Sequence, residues 1–106
     1  MIGQYILRDK QPIPCSDLLE WGRWLETADR RVAADEVGSI RISTVFLGLD
    51  HNFGGGPPLL FETMVFGGDL DQECERYSTW EEAEAGHRKM IERVKASEHW
   101  PDVIGN

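Results

Sequence analysis

The strongest constraint on this chain is the stretch that opens at Ser43, STVFLGLDHNFGGGPPLLFETMVFGG. Two runs rich in β-branched and aromatic residues flank a loop, residues 50–58, holding Asp50, His51, three consecutive glycines and two prolines. Runs of that composition favour strands, so the chain must fold around a β unit whose connection is unusual. A simple reversal does not need three glycines and two prolines. Glycines supply backbone angles that other residues avoid, and prolines stiffen the return. The loop is therefore either shaped for a partner or held on a special path, and function is first sought there.

Alternation makes the two runs more specific. In residues 40–49, Ile40, Ile42, Thr44 and Phe46 share one face, and Arg41, Ser43, Val45, Leu47 and Leu49 share the other. The second half of that run is apolar on both faces, which calls for cover on both sides and makes a homodimer one expectation. In residues 59–66, Leu59, Phe61, Thr63 and Val65 share a face, opposite Leu60, Glu62, Met64 and Phe66.

The flanking segments complete a fold. Residues 2–7 read as a short strand, and residues 9–14 as a turn and extended segment because each proline keeps its predecessor out of the helical region. Ser16 is placed to cap a helix that carries Leu18, Trp21, Leu25 and Ala28 on one stripe, widened by Trp24 and ending near residues 27–29. Gly22 within it costs roughly 1 kcal/mol against alanine, and close packing is the expected reason for it. Residues 31–37 are ambiguous between helix and strand. A strand is favoured, with Gly38 and Ser39 as the turn into the next. After Gly67 and Gly68 a polar loop is expected through Glu73 and Arg76.

Thr79, Trp80, Glu81 and Glu82 then form a capping box that opens a second helix running to about Ser97. Its seam is Trp80, Ala83, His87, Met90 and Val94, where His87 is expected to donate to a backbone carbonyl and Gly86 to permit close contact with the sheet. The reading is an α+β two-layer sandwich, an antiparallel sheet of three to four strands with two helices, in one domain over residues 1–106 with a tail from about residue 98.

Composition excludes several classes of function. The formal charge is −8 at pH 7, and phosphate backbones are bound chiefly by Lys and Arg, so direct binding to nucleic acid is not expected. The element order is similar to that of double-stranded-RNA-binding domains, but the acidic start of the second helix lacks the basic residues that role needs. No apolar run approaches the roughly 20 residues that span a bilayer, and no signal peptide is read at the N-terminus, so a cytoplasmic location is expected. Cys15 and Cys74 lack metal-ligand spacing and are expected as free thiols, with no cofactor.

The candidate site is Asp50, His51, Asn52, Phe53, Gly54, Gly55 and Gly56, with Glu62 on the following strand. It admits three uses. One is structural, with Asp50 or Asn52 closing side-chain turns. The second is recognition, with Phe53 as an aromatic anchor and glycine amides open to an anionic group, which extends to a small molecule or nucleotide. The third is metal-assisted hydrolysis by Asp50, His51 and Glu62. No nucleophile–base–orienter set is visible; Glu62 within an apolar strand invites either a raised pKa or a buried partner such as an arginine, and a salt bridge or a solvent-facing edge position explains it as well. A second, electrostatic contact is expected from Asp69, Asp71, Glu73 and Glu75.

The segment STVFLGLDHNFGGGPPLLFETMVFGG together with YSTWEEAEAGHRKM resembles a family of small proteins encoded by tailed phages and prophages of proteobacteria, over roughly residues 13–94. That family brings no established activity with it. The resemblance implies a setting, in which small acidic proteins of phage accessory regions modulate the host or inhibit its immunity by binding a host or phage protein.

Overall fold

The computed structural model describes residues 3–98. A hairpin of β1 (Tyr5–Arg8) and β2 (Gln11–Pro14) leads into α1 (Leu18–Thr27). Then follow β3 (Arg31–Val37), β4 (Ile40–Phe46), β5 (Phe61–Phe66), β6 (Cys74–Tyr77) and α2 (Trp80–Glu98). β3 to β6 form an antiparallel meander in sequence order, separate from the two-stranded β1–β2 sheet. The result is the expected α+β class.

One sheet face makes the core. Ile40, Ile42, Thr44 and Phe46 on β4 and Phe61, Thr63 and Val65 on β5 are all buried, in register with Thr44 opposite Thr63. Ala83, His87, Met90 and Val94 of α2 are buried on the same face, as their spacing of three and four residues predicts. Ile40, Ile42, Val65, Met90 and Val94 form one cluster, and Phe46, Leu60, Phe61 and Ala83 a second. Trp80 of α2 meets Phe61 edge-on at 6.2 Å, so α2 lies against this face, and α1 reaches its edge through Trp24, which meets Phe46 edge-on at 5.7 Å. Fully burying a side chain of this size stabilises by about 1.5–3 kcal/mol.

At its centre the interface is polar. Thr44 Oγ1 shares a hydrogen bond with Thr63 Oγ1 and another, of 2.7 Å, with His87 Nδ1. His87 Nε2 donates to Asp35 Oδ2 of β3 at 2.8 Å. The expected backbone carbonyl partner for His87 is thus replaced by a hydroxyl and a carboxylate. Thr44 is fully buried, so the Thr–His–Asp series is a structural link and no exposed nucleophile.

Several local expectations are corrected. Asp17, not Ser16, caps α1, its carboxylate accepting from the Leu19 and Glu20 amides. Leu18 is 63% exposed and no residue of α1 is fully buried, so the helix is peripheral. The segment expected as a polar loop through Glu73 and Arg76 contains β6. Residues 9–14 contain β2, joined to β1 through Asp9 and Lys10, which both take positive φ angles. Residues 31–37 are a strand, and the turn at Gly38 and Ser39 is as read. β4 ends at Phe46 rather than continuing to residue 49, and Leu60 rather than Leu59 joins the core, because the alternation breaks ahead of β5. The capping box of α2 is present: Thr79 Oγ1 accepts from the Glu82 amide and Glu82 Oε1 accepts from the Ser78 and Thr79 amides. The expected tail lies outside the described residues.

Two glycines separate opposite roles. A Cβ at Gly86 would overlap the Tyr77 ring, whereas one at Gly22 meets nothing within 4 Å, so packing does not explain Gly22. Gly22→Ala is therefore expected to raise unfolding stability by about 1 kcal/mol. Gly86→Ala is expected to lower it by about 1–3 kcal/mol through overpacking. Urea denaturation of both variants checks this pair of opposite signs.

Candidate functional site: the loop between β4 and β5

The loop is built from its two polar residues inward. Asp50 Oδ1 accepts from the Asn52 amide at 2.8 Å and from the Leu59 amide at 2.9 Å, closing the loop across its base. The His51 amide donates to Leu59 O at 3.0 Å. Asn52 spans the interior, its Nδ2 donating to Pro57 O at 2.8 Å and its Oδ1 accepting from the Gly54 amide at 3.2 Å. Gly55 and Gly56 take φ angles of 87° and 96°, a region that disfavours side chains. At Gly56 a Cβ would also sit 3.3 Å from Asn52 Nδ2. Glycine is thus required by the turn that Asn52 braces.

The base is anchored to the body. The Asp50 amide donates to Gly3 O, the Tyr5 amide to Gly48 O, and the Leu47 amide to Leu60 O. Trp21 Nε1 of α1 also donates to Gly48 O at 3.1 Å. Leu47 and Leu49 are half-buried, and Leu49 bridges Gln4, so the N-terminal segment supplies part of the cover that the doubly apolar stretch calls for.

Against this braced frame the tip is bare. Phe53 is 76% exposed, and residues 53–57 are all exposed. His51 is half-buried, with its ring centroid 6.2 Å from that of Phe53. Because a carbonyl only accepts, His51 Nδ1 carries the proton it donates to Leu49 O at 2.8 Å, leaving Nε2 as the ring's outer polar atom.

Glu62 does not join this group. It points to the sheet face that carries no helix among the described residues, where Oε2 accepts from Arg76 Nε at 2.9 Å and from Cys74 Sγ at 3.1 Å. Of the readings the sequence offers for Glu62, the structure shows a salt bridge, with Arg76. Among the described residues no three His, Cys, Asp or Glu side chains converge to hold a metal ion, so Asp50, His51 and Glu62 form no metal-binding set. Asp50 is spent on closing the loop, and Gly54 has given its amide to Asn52, which leaves less of the loop to receive an anion. In the acidic segment, Asp71 accepts from the Gly67 amide, and Glu73 and Glu75 lie 3.0 and 3.8 Å from Arg93. That segment is therefore largely committed to local contacts.

Sequence reasoning missed the state of Cys74. Burial, then the hydrogen bond to Glu62 and its charge, push the thiol up to about 11 against the opposing pull of Arg76. Both cysteines are free.

Two outcomes test these assignments. Asp50→Ala removes an acceptor shared by two amides and is expected to cost about 1–3 kcal/mol in urea denaturation, whereas a merely decorative carboxylate would leave stability unchanged. Cys74 is expected to alkylate about 100-fold more slowly at pH 8 than a thiol at the ordinary 9.0, and Glu62→Gln to speed it up. The folded protein binds this proton more tightly than the unfolded chain. Its contribution to stability is complete below about pH 9 and is lost as pH rises through about 11.

Comparison of the chain with family models, with curated proteins and with solved structures returns no match.

Proposed function

We propose that this chain is a non-enzymatic binding protein that engages another protein through the loop at residues 50–58. The observation that carries this reading is the 76% exposure of Phe53 at the tip of a loop whose own side chains brace it. Leaving a phenylalanine in water forgoes about 1.5–3 kcal/mol of burial, and the neighbouring His51 ring at 6.2 Å does not bury it. An aromatic side chain on a preorganised frame suits an interface anchor, because little loop entropy remains to be lost on binding.

Charge narrows the partner. A net charge of −8 disfavours polyanions and speeds encounter with a basic protein surface. No helix among the described residues is long and apolar enough to cross a membrane. The resemblance to small phage and prophage proteins supports a counter-defence or host-modulating inhibitor acting on a host or phage protein in the bacterial cytoplasm.

The test begins with a pull-down from an infected or lysogenic host, followed by mass spectrometry, and continues with the purified partner. Phe53→Ala is expected to weaken binding at least about 30-fold, the loss typical of an aromatic hot spot. The thermal midpoint should stay within about 1 °C of the parent, since surface changes rarely exceed about 0.5 kcal/mol. Undiminished binding with Phe53→Ala would remove the loop from the interface.

A further inference from the structure

The sheet has a second feature that the loop does not use. β6 is an edge strand, and beside it α2 leaves a groove of about 590 Å³. The geometry points to this groove as a docking site for an extended, acidic peptide segment of a partner protein, which would add to the sheet as a fifth strand.

Backbone pairing along β6 fixes the shape of the occupant. Leu60 donates to Tyr77 O and Val65 donates to Glu73 O, so the odd-numbered residues of this segment spend their backbone groups on β5. By strand alternation Cys74 and Arg76 turn their N–H and C=O groups outward, where no described residue pairs with them. Only an extended chain presents donors and acceptors at that spacing. An edge strand next to a helix is a recurring arrangement for such strand addition. The groove floor is apolar, formed by Leu59, Ala85, Met90 and the Tyr77 ring that rests on Gly86, so alternate side chains of the added strand find a non-polar seat.

Charge fixes the composition of the occupant. In a chain with 19 acidic and 11 basic residues, most charges at this groove are already paired: Arg76 binds Glu62 on the opposite sheet face, and Arg93 binds Glu73 and Glu75. Glu82 is engaged in capping α2, and Glu75 lies 3.8 Å from Arg93. Lys89 is exposed and forms no ion pair among the described residues, so it is the free cation facing an incoming carboxylate. This surface is distinct from the loop, and its test does not involve Phe53.

The probe is a positional-scanning library of fluorescein-labelled, N-acetylated and C-amidated hexapeptides, read by fluorescence polarisation with the full chain. Pools fixed with Asp or Glu at one position should bind at least about 5-fold better than pools fixed with Lys there, and Lys89→Glu should reverse that order. The best peptide should slow amide exchange at Cys74 and Arg76. Its N-methylated analogue should lose binding, a control that leaves the protein fold untouched. Absence of selection, a preference unmoved by Lys89→Glu, or indifference to N-methylation would each overturn the assignment. Concentration-dependent slowing of Cys74 and Arg76 exchange without peptide would overturn it too, giving the edge to a second copy of this chain.

Discussion

The hydrogen-bonded series from Thr63 through Thr44 and His87 to Asp35 ties three strands and α2 together inside an otherwise apolar interface. Apolar contacts tolerate sliding of a helix over a sheet, because burial has no direction. A buried hydroxyl or imidazole that loses its partner costs about 1–3 kcal/mol, so this series penalises every register but one. With α2 fixed, Gly86 comes to rest on Tyr77, Trp80 meets Phe61, and the helix stands beside β6 at the distance that leaves a groove. The register of β4 on β5, with Thr44 opposite Thr63, sets the two strand ends from which the connecting loop departs.

That loop owes its form to itself. Asp50 closes the base and Asn52 spans the interior, so the tip needs no support from neighbouring elements. Glycines at positive φ allow the tight return, and the apolar residue left over, Phe53, faces solvent. The molecule thus divides its labour: one sheet face and α2 make the core, with α1 at its periphery, while the loop and the β6 edge present groups that the fold does not consume.

Much of this was legible in the chain. The strand from Ile40, the body of the strand read over residues 59–66, the sharing of faces along both, the capping box at Thr79 and the seam Ala83, His87, Met90 and Val94 follow from period and cap chemistry alone. What escaped was decided by tertiary contact. β6 has four residues, two of them charged on opposite signs, and becomes a strand only because β5 offers an edge. Asp17 displaced Ser16 as the cap because adjacent capping residues compete, and one position of phase is beyond the resolution of a periodic pattern. His87 and Glu62 were recognised as groups in need of partners, but Asp35 and Arg76 are distant in sequence and no spacing rule links them. Composition offers the loop residues Asp50 and Asn52 both as turn formers and as ligands; the hydrogen bonds assign them to the turn.

The central claim is that residues 50–58 are a preformed, outward-facing platform. Backbone ¹⁵N relaxation of the free protein tests it most directly, since it measures loop order without any partner. The account predicts order parameters near about 0.85 through Phe53, Gly54 and Gly55, comparable with rigid backbone. Values below about 0.6 across the same residues would contradict it, because a mobile tip would carry no preorganised aromatic anchor.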